Sequence, residues 1–377
     1  MSKHALLSAS SSHRWLNCPP SARLCESYED KGSDYAAEGT DAHSLCEFKL
    51  KTVLGMKAQD PTENLSYYSE EMEDCANDYA AYVLELVEAA KKISSDPAVL
   101  IEQRLDYSRF VESDFGTGDC VIVADGTLTI VDYKHGRGIL VEADNNPQMM
   151  LYALGALEIF DGIYDIETVC MIIYQPRRSS ISTFTMSKDD LYQWAEDTLK
   201  PAAEIAYAGN GDYQCGEWCQ FCKAKHDCRE RAEYNLELAK FDFHLPPLLT
   251  DEDVEEILGR IDGLVSWAND IKEYALQAAV GGKEWHGWKL VEGRSNRRYT
   301  DETVVAEAVT VAGFDPYERK VMGVTAMTSL LGKKRFEEVL GGYIEKPQGK
   351  PTLVPESDKR PAINTAKQDF SDYKEDK

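Results

Sequence analysis

Asp119 and the run Asp132-Tyr133-Lys134 are residues whose types and spacing can do chemistry together. Side chains alternate along a strand, so Asp132 and Lys134 share a face, and a hairpin joining the two segments brings Asp119 beside them. Two carboxylates and an ammonium then converge. A hard divalent cation, Mg²⁺ or Mn²⁺, takes oxygen ligands, here Asp119, Asp132 and the Tyr133 carbonyl, while Lys134 positions or helps deprotonate an attacking water. That is phosphodiester-hydrolysis chemistry. The plain alternative is a solvated strand end with an ordinary ion pair, worth about 0–1 kcal/mol. Three residues alone do not separate the two readings.

A second constellation is Cys219-x2-Cys222-x5-Cys228. A C-x2-C turn lets two thiolates reach one metal centre, and a third a few residues later closes the same side. The fourth ligand comes either from Cys215, giving a local zinc knuckle, or from Cys18 at the far N-terminus. Cys25, Cys46, Cys75, Cys120 and Cys170 have no partner spacing and read as buried small hydrophobes.

These groups need elements to hold them. Ser10 to Ser12 cap a short helix that runs through Asn17 and stops at Cys18-Pro19-Pro20, since proline cannot continue an established helix. Helices are predicted over about Tyr35–Leu54 and Ser66–Ile93. The period then shifts, and Val99–Tyr107, Gly118–Ala124 and Leu128–Tyr133 read as strands, with Asp125-Gly126 a strong hairpin signal. Pro147–Ile159 follows as a helix with proline at its first position, then strands at Thr168–Tyr174 and Ile181–Phe184 and a helix over Lys188–Ala208. A long helix capped by Thr250 runs to Ala279, and a hairpin is expected around Trp288–Tyr299.

The chain has 377 residues, which at ~100–200 residues per domain allows roughly two or three domains. We expect the first over residues 1–240, a boundary at Leu245-Pro246-Pro247, a smaller α+β domain over 248–345, and an aperiodic tail over 346–377. The balance of 41 basic against 66 acidic side chains gives a formal charge of −25. Binding to nucleic acid through a uniformly basic surface is thereby excluded, so any such contact is local. No run approaches the ~18 apolar residues of a membrane span, and the first residues have no apolar core of a signal peptide. A cytoplasmic protein is expected, with its cysteines as ligands or buried thiols rather than disulfides.

Taken together, Gly116-Thr117-Gly118-Asp119, a hairpin, Asp132-Tyr133-Lys134 and a helix carrying Gln148 and Tyr152 are in the order of the PD-(D/E)XK nuclease core. The Q-x-x-x-Y pair and the upstream Gly39-x-x-x-His43 make the sequence resemble the RecB-like branch of that superfamily. The resemblance implies an α/β fold, a restriction-endonuclease-like core with a mixed central sheet flanked by helices. It makes His43 a metal ligand beside Asp119, Asp132 and Tyr133, and imidazole suits Mn²⁺ better than Mg²⁺. Lys134 would act on the water, and Gln148 and Tyr152 would orient the site. Glu102, on the strand before Asp119, reads either as a further acidic ligand or as an outward-facing charge, and the second reading is preferred.

The Cys18-Pro19 setting and the C-x2-C-x5-C run are similar to RecB-like nucleases with an iron–sulfur staple, the AddB subunit and the CRISPR-adaptation nucleases. That likeness implies a [4Fe–4S] cluster on Cys18, Cys219, Cys222 and Cys228, with Zn²⁺ as the alternative occupant, and a clasp between distant segments. It covers about residues 8–235. From 248 onward the likeness is to phage and prophage proteins sharing this layout, and it carries no activity. The expected partner is DNA, with a phage single-strand annealing or single-strand-binding protein compatible with that setting, and the host cytoplasm as the location.

Arg294, Arg297 and Arg298 with Trp285, Trp288 and Tyr299 can hold phosphates and stack bases, or form a solvated turn on a small aromatic core. Arg177-Arg178 is a further candidate for a backbone contact. The activity expected is that of a metal-dependent DNA nuclease, an exonuclease acting on ends in phage recombination or replication. Its rival is a non-catalytic DNA-binding or assembly protein that keeps the fold and the cluster.

Overall fold

Asp125-Gly126 turns the chain between β2 (Phe115–Ala124) and β3 (Gly126–Tyr133), with Gly126 at φ +82° and Ala124 paired to Thr127. β1 (Ala98–Asp106) lies antiparallel on the other side of β2. After β3 the chain crosses over through a helix and returns as β4 (Ile166–Gln175), parallel to β3, and β5 (Ser180–Ser187) closes the sheet antiparallel to β4. The result is a five-stranded mixed sheet in the order β1-β2-β3-β4-β5. The computed structural model describes residues 6–29, 32–112, 115–238, 249–291, 301–317 and 321–344.

Alternation along the strands feeds two hydrophobic layers, because successive side chains leave a strand on opposite faces. Val121, Val123, Leu128, Ile130, Val169 and Met171 point to one face. There they pack against α5 (Pro147–Phe160), the crossover helix, together with Trp15 of α1 (Ser12–Asn17). Cys120, Ile122, Val131, Tyr133 and Ile172 point to the other. That face is covered by α3 (Asp34–Val53) and α4 (Glu70–Ile93), whose N-caps Ser33 and Ser69 accept from Ala36 N and Met72 N. α2 (Ser21–Leu24) follows α1. Gly155 is where α5 meets β1: a Cβ there would lie 2.9 Å from Leu105 Cβ and 3.0 Å from its carbonyl carbon, so only glycine permits the approach.

The expected helix over Lys188–Ala208 is α6 (Lys188–Trp194) and α7 (Lys200–Ala208) joined by a π turn at Ala195–Leu199. Beyond it stand α8 (Arg229–Leu236) and α9 (Asp251–Val280), the latter capped by Thr250 as anticipated. The chain divides into compact units between Lys283 and Glu284, later than the expected 240–248. α9 belongs with the first unit, since Asp270 holds Arg231 at 2.6 Å and Lys225 at 2.8 Å while Tyr274 stacks on His226. Among its described residues the second unit has helices only, α10 (Glu302–Val311), α11 (Val324–Leu331) and α12 (Lys333–Leu340). The hairpin expected at 288–299 lies mostly outside the described residues, as do Arg294, Arg297 and Arg298 and the tail 346–377. No helix among the described residues is long and apolar enough to cross a membrane.

Candidate functional site

The site begins where β2 and β3 stop pairing. Their registered pairs run from Ala124–Thr127 to Cys120–Val131, and the next rung would set Asp119 opposite Asp132. Two like charges face to face destabilise a ladder. Instead Asp119 Oδ2 accepts the Tyr133 N–H at 2.7 Å, and the two strand ends part into a cleft. On the other side of β2, pairing runs through Ile101–Cys120 and resumes at Gln103–Gly118. Glu102 falls between them, level with Asp119, at φ +52°. Left-handed backbone at a non-glycine strand residue is strained, and such strain clusters at functional sites. Glu102, Asp119 and Asp132 therefore stand on one rung across three strands.

Cations answer that row of acids. His43, from α3, places Nδ1 3.3 Å from Asp119 Oδ1, and its ring meets the edge of Tyr133. Burial works against a charge on His43, yet the neighbouring Asp119 prevails and raises its pKa. Lys134 lies 3.0 Å from Asp132 Oδ2, and here too the pull of Asp132 and Asp119 outweighs burial and strengthens the ammonium's hold on its proton. Burial pushes the Glu102 carboxyl up to about 7, with Asp119 adding to it. Burial also raises Asp132, against the opposing effect of Lys134.

α5 supplies the far wall. Asn146 caps it by accepting from Gln148 N and Met149 N, and Pro147 occupies the first turn, which fixes Gln148 at the mouth. The Gln148 amide donates to Asp132 Oδ1 at 3.3 Å and to Tyr152 OH at 3.0 Å, and its carbonyl accepts from Lys134 at 3.3 Å. Tyr152 packs against β2, where a Cβ on Gly116 would come within 2.5 Å of Tyr152 Cε1. Gly116 is small so that the ring can reach the site.

The expected residues Asp119, Asp132, Lys134, Gln148, Tyr152 and His43 thus come together. The grouping differs in two respects. The donor atoms of His43, Glu102 and Asp119 lie within 4.8 Å of one another, so Glu102 points into the site and is not an outward-facing charge. Asp132 stands apart, engaged with Lys134 and Gln148, and Tyr133 gives Asp119 its N–H. From sequence Glu102 stood as a possible ligand with the outward reading preferred, because its direction comes from a left-handed backbone that no residue type announces.

A divalent cation fits this donor set. The donor atoms of His43, Glu102 and Asp119 converge, and the buried Asp132 Oδ2 lies 3.0 Å from the Lys134 ammonium. Carboxylate oxygens with one imidazole form a set that Mg²⁺ or Mn²⁺ accepts, imidazole favouring Mn²⁺.

Behind Tyr133 lies a polar network. Its hydroxyl is 2.8 Å from His135 Nδ1, and His135 Nε2 is 3.6 Å from Glu38. Arg177 pairs with Glu38 at 2.8 Å and Glu71 at 3.3 Å, and Arg137 also pairs with Glu71. Arg178 donates to the Arg137 carbonyl at 2.6 Å. Arg177 thus ties α3 and α4 to the end of β4, while Arg178 is exposed and bonds only to the loop carbonyls after β3.

The cysteines form a separate place. Cys18, Cys219, Cys222 and Cys228 line one recess together with Arg14, Lys225 and Arg231. All four are free thiols, and three cationic side chains stand beside them. Cys215 touches Cys219, with sulfurs 3.9 Å apart, without lining the recess. Cys25, expected to be a packing residue alone, has its sulfur 3.7 Å from that of Cys222. Cys46, Cys75 and Cys120 are buried in the α3–α4 layer.

Among solved structures, one titled "Crystal structure of SSO0001" aligns over 49% of this chain and 95% of its own. The identity is 12% and the TM-score 0.20, too slight a likeness to extend any property to this chain. A family model described as "Protein of unknown function (DUF2800)" matches residues 4–361, nearly the whole length, and the chain belongs to that family.

Proposed function

We propose that the protein is a metal-dependent DNA nuclease with a PD-(D/E)XK core of the RecB-like branch, an exonuclease acting on DNA ends. The observation that carries this reading is the single rung of Glu102, Asp119 and Asp132 at a parted strand end, with Lys134 and His43 beside it. A binding module has no use for three acids facing a polyanion. A nuclease does, because a cation held there turns the repulsion into attraction.

His43, Glu102 and Asp119, with Asp132 nearby, would hold Mn²⁺ or Mg²⁺, which supplies Lewis-acid polarisation of a phosphoryl oxygen and a more acidic water. Lys134, kept protonated by its acidic neighbours, presents a positive charge where negative charge develops during phosphodiester cleavage. Gln148 holds Lys134 and Asp132 in fixed relation, and Tyr152 holds Gln148. Cys18, Cys219, Cys222 and Cys228 would carry a [4Fe–4S] cluster, or Zn²⁺, as a clasp between the N-terminal segment and the end of the nuclease core. Bound there, the metal supplies cross-linking and no redox step.

The test is direct. The full chain is incubated with linear and with closed circular DNA in Mn²⁺ or Mg²⁺, beside a Lys134→Ala variant. Degradation of linear DNA by the wild type, strongest in Mn²⁺ and lost in the variant, is the expected result. DNA retained without cleavage under every metal would sink the enzymatic reading in favour of a non-catalytic DNA-binding or assembly role.

A further inference from the structure

The cysteine recess contains more thiols than one metal needs. Cys25 Sγ lies 3.7 Å from Cys222 Sγ, while Cys18, Cys219, Cys222 and Cys228 face the hollow. A disulfide places its sulfurs about 2.05 Å apart, so the Cys25 and Cys222 sulfurs are in contact and unbonded. The two residues stand 197 apart in sequence.

Packing of the surrounding segments also brings the two residues together. Tyr28 donates to Asp227 at 2.7 Å and meets the edge of the His226 ring, which seats the residues after Cys25 on the residues after Cys222. Arg23 donates to the Tyr207 carbonyl at 2.7 Å and stacks over that ring, anchoring the residues before Cys25. Arg14 donates to Ser21 at 2.7 Å to its carbonyl and 2.8 Å to its hydroxyl, bracing the intervening turn. Leu24, Tyr28 and Ala224 close a small apolar shell around the two sulfurs. The seam therefore presses Cys25 on Cys222 from both sides.

We propose that Cys25 and Cys222 form a redox site, with Cys25 as the resolving thiol that captures Cys222 when the recess has lost its metal. This rests on the reading of Cys222 as a metal ligand. Cys222 cannot serve both roles, so metal and disulfide exclude each other, and either one ties the N-terminal segment to the end of the nuclease core.

A hydroperoxide is the oxidant. One thiolate attacks a peroxide oxygen, the O–O bond breaks, hydroxide leaves, and a sulfenic acid forms. The second thiol then attacks the sulfenyl sulfur, the S–S bond forms, and the sulfenic oxygen departs as water. Two thiols and one hydrogen peroxide give one disulfide and two waters. A thiol reductant reverses the link and reopens the recess.

The experiment uses the full chain in two forms, as purified with its bound iron or zinc measured, and stripped by a chelator under reducing conditions. Each is exposed to hydrogen peroxide, digested without reductant and mapped by mass spectrometry. The expected product is a peptide pair joining Cys25 to Cys222, lighter by two hydrogens, abundant in the stripped form and several-fold scarcer in the metal-loaded one. Cys25→Ser should abolish that pair and keep the wild-type metal content.

A stripped protein that yields only Cys215–Cys219, or no link at Cys25, overturns the proposal. So does Cys25→Ser losing its metal, which would make Cys25 a ligand. A chain that never carries iron or zinc yet still forms Cys25–Cys222 upholds the thiol pair and removes the metal reading instead.

Discussion

The sheet-end cleft and the cysteine recess are built in opposite ways. In the cleft, Glu102, Asp119, Asp132 and Lys134 ride on adjacent strands whose ladders are complete a rung or two away, and α5 caps itself next door. The backbone is set before any of these side chains is asked to do anything. In the recess, Cys18 and the 219–228 cysteines arrive on short helical turns from distant parts of the chain, joined mainly by side-chain bonds such as Tyr28–Asp227 and Arg23–Tyr207. Chemistry should therefore be removable from the cleft without loss of fold, whereas the recess contributes to the fold itself.

The largest expected effect separates those two properties within the cleft. Asp132→Asn removes a carboxylate whose charge is disfavoured by burial but also the nearest counter-charge of Lys134, two opposing effects that should leave the melting temperature little changed. Cleavage should nevertheless fall by about 10²–10³, the usual cost of losing one electrostatic group at a reaction centre. Parallel melting curves and nuclease rates check it, and a variant that is both slow and markedly less stable would break the distinction. In the recess the expectation inverts. Cys18→Ser should lose metal and melt several degrees lower, because binding energy at a site joining distant segments is folding energy, while Cys215→Ser should keep both metal and melting temperature. Metal analysis with calorimetry decides between them; Cys215 essential and Cys18 dispensable would make the recess a local knuckle.

How far the sequence reaches differs between the regions in the same way. The cleft was legible because its signals are local: Asp125-Gly126 dictates the hairpin, the hairpin dictates register, and period two does the rest. Glu102 was legible only as one of two readings, ligand or outward charge, since a left-handed residue inside a strand leaves no compositional trace. In the recess, C-x2-C-x5-C marks three thiols, but the contact of Cys25 with Cys222 arises from packing between segments 197 residues apart. The placement of α9 with the first unit was hidden for a like reason, as Asp270 meets Arg231 and Lys225 only once the helices are assembled.

Glu102 gives the next test. If it completes a cation site with His43 and Asp119, Glu102→Gln and His43→Ala should each weaken metal dependence by at least about 10–100-fold, the scale already seen for groups one shell further out. Excess Mn²⁺ should restore part of the loss. An unchanged metal titration in Glu102→Gln would leave its strained backbone without a functional reason.

A smaller effect is expected at Gly116, where the cleft meets the core. The alanine methyl would lie 2.5 Å from the Tyr152 ring, so Gly116→Ala should destabilise by about 1–3 kcal/mol, the range for overpacking a filled site. Chemical denaturation measures it, and nuclease activity should drop as well because Tyr152 must move away from Gln148.

Tyr152→Phe then asks how much of that activity loss belongs to the hydroxyl alone. The ring and its packing on Gly116 stay, and only the acceptor for the Gln148 amide is lost. One neutral hydrogen bond is worth about 0.5–1.5 kcal/mol, which is a few-fold to roughly tenfold in rate if the bond serves the transition state. Gln148 would still reach Asp132 and Lys134, so the melting temperature and the metal titration should not change. A kcat lowered by that modest factor at unchanged KM fits a hydroxyl that steadies Gln148. A loss as large as that of Asp132→Asn would instead mean that Tyr152 touches the substrate itself, and the division between a chemical rung on the strands and a bracing wall on α5 would have to be redrawn.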